Sequence, residues 1–129
     1  MKKLVITVIT SSTILFSSTS FSEWTKIEIK DYKNSYYIDF DKIKKENGFV
    51  FWWDMINFSK STPEGYLSVR GYKQGDCKLF KFKDLIFLFH KKPMSNGVGD
   101  FITLQENWNK PKKHSISEIA IKEVCKYSE

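Results

Sequence analysis

Phe49-Val50-Phe51-Trp52-Trp53-Asp54-Met55-Ile56-Asn57-Phe58 is the stretch on which the fold of this chain turns. Read with the period of a β-strand, it places Phe49, Phe51, Trp53 and Met55 on one side and Val50, Trp52, Ile56 and Phe58 on the other. Both sides are apolar. Such a strand belongs in the middle of a sheet, with at least one face meeting a partner layer. Asp54 interrupts the run, and a carboxylate there needs either a partner or water.

Working outward, Trp24 to Ile29 and Tyr66 to Lys73 alternate in the same way. Ser35-Tyr36-Tyr37-Ile38-Asp39 reads as a short aromatic strand after the polar turn Asp31 to Asn34. The charged segment Asp41 to Asn47 is expected to form one helical turn or a loop, ended by Gly48. Ser59 to Gly65 is a turn carrying Pro63. Gln74-Gly75-Asp76 is a candidate bulge. Cys77 to Phe82 and Leu85 to His90 form one bent strand, or a hairpin broken near Lys83-Asp84. Lys91 to Gly99 is a loop, and Phe101 to Leu104 a last short strand.

One segment carries a helix signature. Ser115-Ile116-Ser117-Glu118 has the spacing of a capping box, in which Ser115 accepts from the third helical N–H and Glu118 reaches back. Ile116, Ala120, Val124 and Tyr127 then recur at steps of four and three and make one stripe. Strands followed by one amphipathic helix imply an α+β domain: an antiparallel sheet with the C-terminal helix packed on one face.

The first segment decides which residues count. Met1-Lys2-Lys3 is basic, Leu4 to Phe16 is uncharged and largely apolar, and Ser20-Phe21-Ser22 ends a small-residue stretch. This is the layout of a secretory signal peptide, residues 1–22, with the domain at 23–129. The apolar run is shorter than the roughly 20 residues of a spanning helix. No other stretch is long enough, so no transmembrane segment is expected in the mature chain. No Cys lies near the cut, so a lipid anchor is not expected either. The destination is the periplasm or the cell surface.

Without Lys2 and Lys3 the 21 basic residues become 19 against 15 acids, a net charge of +4. All but Arg70 are Lys, and nucleic-acid readers lean on the planar fork of Arg; nucleic acid is not an expected partner. The chain has two Cys, and in an oxidising compartment an even pair reads as a disulfide, here Cys77 with Cys125 near the helix stripe. A two-Cys metal site lacks further ligands at the right spacing.

Catalytic signatures are missing from the sequence. His90 and His114 could ligate haem iron or act as bases, but nothing pairs them with a nucleophile. Asp76 beside Cys77 would raise a thiol pKa, the wrong direction for a nucleophile. Asp39 and Asp41 straddle a strand end and are expected to cap a turn. A non-enzyme without a cofactor is expected. The functional candidate is a surface: one helix can cover one face of Phe49–Phe58, which leaves Phe49, Phe51, Trp53 and Met55 as the face for a protein partner or a second subunit.

The ordered set of residues resembles the surface-adhesin protein E family over nearly all of the mature chain. It comprises Trp24, Tyr36-Tyr37-Ile38-Asp39, Ile43, Trp53, Ser68, Tyr72, Asp76-Cys77, Pro93-Met94, Gly97, Trp108, Pro111, Ser115 and Val124-Cys125-Lys126. The resemblance implies a sheet of about five or six strands, a C-terminal helix tied to it by the disulfide, and a domain able to form a homodimer through its sheet. It also implies an adhesin-like binding role toward host matrix and serum proteins, with haem bound by some members. A periplasmic structural or accessory role in the envelope is the alternative.

Overall fold

The computed structural model describes residues 23–104 and 107–128; the expected signal peptide, residues 1–22, lies outside the described residues. Its strands are β1 (Thr25–Ile27), β2 (Ser35–Ile38), β3 (Lys44–Glu46), β4 (Phe49–Asn57), β5 (Ser68–Asp76), β6 (Lys81–His90) and β7 (Gly99–Thr103), followed by one helix, α1 (Ile116–Tyr127). They form a single sheet of seven strands in the order β1-β2-β4-β5-β6-β7, with β3 alongside β4 and every pairing antiparallel. β4 holds the central position that its two apolar faces require. One of its edges pairs with β5 along nearly its whole length. The other edge is shared: β2 pairs with Asp54 to Asn57 and β3 with Phe49 to Phe51.

β3 accounts for the strand beyond five or six. The segment expected as a helical turn or loop is split. Phe40–Lys42 is a short 3₁₀ turn, and Lys44–Glu46 is a strand that folds back on β4. The cause is Asn47-Gly48. Both residues have positive φ, 52° and 84°, as a two-residue hairpin turn of the right-handed twist demands. Gly48 therefore turns a hairpin and ends no helix.

β5 and β6 form a long hairpin whose loop is Cys77 to Phe80. The Asp76 carboxylate accepts from the N–H groups of Lys78 and Leu79 at 3.0 Å each, which closes the loop locally. β6 is continuous through Lys83-Asp84. The register shift lies at Tyr72/Lys73, where Leu85 is the extra residue, and not at Gln74-Gly75-Asp76. Gly75 matters for another reason. A Cβ there would stand 2.9 Å from the Trp52 ring, so glycine is what lets the indole lie across β5.

α1 begins as its sequence requires. Ser115 accepts from the Glu118 N–H at 3.2 Å. Glu118 reaches back one residue further than a capping box does, to the N–H of His114 at 3.1 Å, and this bond holds its carboxyl below the usual range. The buried stripe is Ala120, Ile121 and Val124, with Ile121 fully covered and Tyr127 57% exposed. These three pack on Tyr36, Ile38, Val50, Trp52 and Phe82 of the sheet to make the core. Burying side chains the size of Ile121 or Val124 stabilises by roughly 1.5–3 kcal/mol each. Cys125 bonds to Cys77 across 48 residues, with the Cα atoms 5.7 Å apart. Cys77 stands at the tip of the β5–β6 hairpin, one residue past the strand.

Candidate interaction face

The alternation of β4 sends Val50, Trp52 and Asp54 under α1 and Phe49, Phe51 and Trp53 to the opposite side, where they are half-buried. Sheet pairing adds neighbours that are distant in sequence. Tyr72, across from Trp53 in β5, sits between two rings: 4.9 Å from Trp53 and 6.1 Å from Phe51, centroid to centroid. Trp108 stacks on Phe49 at 5.5 Å, carried there because Asn109 bridges to Phe82 at the start of β6. The result is a row of five aromatic side chains: Trp108, Phe49, Phe51, Tyr72 and Trp53.

Cations stand at both ends of the row. The Arg70 guanidinium lies 5.2 Å from the Trp53 ring centre, and the ammonium groups of Lys81 and Lys83 lie 5.0 and 4.7 Å from that of Trp108. Lys44 pairs across from Phe51 and Glu46 across from Phe49, both exposed. A cleft of about 310 Å³ opens at the Trp53 end, lined by Asp41, Lys42, Ile43, Lys44, Trp53 and Tyr72. Burial, and then the charge of Glu46, raise the Tyr72 pKa, so its hydroxyl is a neutral donor at physiological pH.

Met55 departs from the expected face. It projects to the same side as Trp53 but is fully buried. The loop around the 3₁₀ turn Pro93–Ser95 is bound over that end of the sheet. The Met94 N–H donates to Asn57 at 2.8 Å, the Ser95 N–H donates to the Ser68 hydroxyl at 2.8 Å, and that hydroxyl donates to the Lys92 carbonyl at 2.7 Å. The open part of the face therefore ends at Trp53. Sequence periodicity could not show this, because the covering turn lies far along the chain, beyond two further strands.

The remaining candidates are distributed otherwise. Asp54 has found partners on the helix side: Tyr36 donates to it at 2.5 Å, and the Lys73 ammonium lies 3.3 Å from it and 3.1 Å from Asp84. Burial lifts the Asp54 carboxyl above its usual range. Burial also works against the charge of Lys73, but Asp54 and Asp84 outweigh it and raise the Lys73 pKa. Asp39 precedes the Phe40–Lys42 turn without a side-chain capping bond; its buried carboxylate lies 4.0 Å from the Lys42 ammonium, and burial raises its pKa. Asp41 is exposed at the cleft. His90 is buried at the end of β6 against Gly99, and burial, then Arg70, lower its pKa; His114 is exposed just before the cap of α1. Among the described residues no group of three or more His, Cys, Asp or Glu could hold a metal ion, and no helix is long and apolar enough to cross a membrane.

A family model described as surface-adhesin protein E matches residues 24–126. Three structures of protein E from Haemophilus influenzae share the fold. Crystal form II aligns with a TM-score of 0.62 at 20% identity, covering 81% of this chain and 90% of that one. The selenomethionine form gives 0.60 at 18% identity over 78% and 85%. Protein E from a non-typeable strain gives 0.61 at 20% identity over 83% and 79%. No curated protein sequence matches the chain.

Proposed function

The chain belongs to the surface-adhesin protein E family, and from that premise we propose that it is an exported, adhesin-like binding domain without enzymatic activity, which contacts proteins through the open face of its sheet. One observation carries the reading. The row Trp108, Phe49, Phe51, Tyr72 and Trp53 is left half-exposed by a fold that buries the other side of the same strand under a helix. Aromatic side chains grouped on a surface, with Arg beside them, are the composition of binding hot spots. A second copy of the chain is the other candidate occupant of this face. The mature protein begins at Glu23 on this reading and resides in the periplasm or at the cell surface without a lipid anchor.

Binding of the exported protein to immobilised extracellular-matrix and serum proteins, beside resident envelope proteins, tests this reading. We expect saturable binding to a matrix or serum protein, weakened at least about tenfold by Phe51→Ser with Trp53→Ala while the fold persists by circular dichroism. Saturable binding to an envelope protein alone would assign the accessory role instead. Binding indifferent to both substitutions would remove the face from the account. The mass of the exported protein tests the cut after Ser22.

A further inference from the structure

The chemistry of the open face narrows its partner, provided that the face is the binding surface. We propose that the cleft at its Trp53 end seats one apolar side chain from an acidic segment of a different protein, and that Lys44 pairs with the carboxylates flanking that side chain. The cleft is shaped for an anchor. Trp53 and Tyr72 supply aromatic walls, Ile43 adds an aliphatic one, and Asp41, Lys42 and Lys44 complete the lining. Its 310 Å³ stands at the lower limit of small-ligand pockets, a volume suited to one inserted side chain. Apolar anchors seated in such pockets carry most of the energy of an interface.

Charge selects the rest of the partner. Lys44, Arg70, Lys81 and Lys83 stand along the row, against Asp41 at the cleft and Glu46 across from Phe49. This positive excess attracts an acidic surface over about a Debye length, roughly 8 Å at physiological salt. It also argues against the same face of a second copy, since a two-fold contact would set that excess against itself. Nucleic acid fits less well. Apart from Arg70 these cations are ammonium groups, which lack the planar fork that pairs bidentately with phosphate.

Fluorescent pentapeptides test the proposal on the exported protein. The probe is Glu-Asp-Phe-Asp-Glu, with controls carrying Ala for Phe, or Lys for every acid, and a single-stranded DNA oligomer. We expect the Ala control to bind about tenfold more weakly and the Lys control not to bind. Lys44→Glu should weaken the probe about tenfold and flatten its salt dependence without changing the melting temperature, since Lys44 is exposed. Equal binding of the Ala or Lys control, tighter binding of the DNA, or indifference to Lys44→Glu would each overturn the proposal. Trp108→Ala separates it from the reading beneath it. If the matrix or serum partner is lost on Trp108→Ala but not on Lys44→Glu, the face stands and the cleft assignment fails. If neither substitution matters, both fall.

Discussion

The two sides of β4 are built from nearly the same residue types and end in opposite conditions. Val50, Trp52 and Asp54 lie on the side that α1 covers, where Tyr36 donates to Asp54 and the Lys73 ammonium stands between Asp54 and Asp84. Phe49, Phe51 and Trp53 lie on the far side, where the cations stand over ring faces and carboxylates are few. Where water is excluded, every charge has to find its counter-charge inside the protein. Where water remains, a cation can rest on an aromatic ring and stay available to an outside partner. Adjacent tryptophans therefore have different work: Trp52 is 1% exposed and holds the layers together, while Trp53 is half-buried at the cleft.

Substitution of those neighbours gives the sharpest contrast. Trp52→Ala should destabilise by roughly 3–5 kcal/mol, and Trp53→Ala by clearly less, about 1 kcal/mol, as read from urea unfolding. Comparable losses would mean that both sides are core. Next, Cys77→Ser with Cys125→Ser should lower stability by about 4 kcal/mol on the chain-entropy model for a loop of this length, loosening the covered side through α1. Lys73→Met should cost about 3 kcal/mol, since it strands Asp54 and Asp84 without a cation. Lys81→Met, its counterpart on the open face, should cost under about 1 kcal/mol. Denaturant midpoints of the pair would expose a wrong assignment of either lysine.

The smallest expected effect is one of pH. The folded pKa of His90 lies below the unfolded value of about 6.5, so the unfolded chain binds the proton more readily. Stability from this group is complete above the unfolded pKa and declines as pH falls below it. Between about pH 7.5 and about pH 5 the melting temperature of the protein should fall relative to that of His90→Gln, the difference being the part that belongs to this group, while the raised carboxyls of Asp39 and Asp54 act in the opposite sense in both. An unchanged slope in the variant would show that the decline originates elsewhere.

The sequence made plain what depends on local pattern. Period two found β4, the Ser115 cap found the start of α1, and the even count of cysteines found the disulfide. It obscured what depends on pairing. Tyr72 joins the row only through its register with Trp53, Lys73 meets Asp54 through the β4–β5 register and Asp84 through the register shift in β5–β6, and Met55 is covered by a loop that begins with Lys91. β3 is a different case: Asn47-Gly48 is a hairpin signal, and reading Gly48 as a helix stop concealed it. The helix stripe was misplaced by one flank because Ile121, and not Tyr127, is the residue that meets the sheet.

The bond between Cys77 and Cys125 encloses β6, β7 and the loop with Lys91 and Lys92, both exposed. A trypsin-like protease that clips that loop would sever the backbone and release nothing. The pieces would run as a single species until a reductant is added, with the helix and the aromatic row still attached. Damage of this kind leaves the molecule in one piece: nicked in an exposed cationic loop, it stays joined through its sulfur bridge.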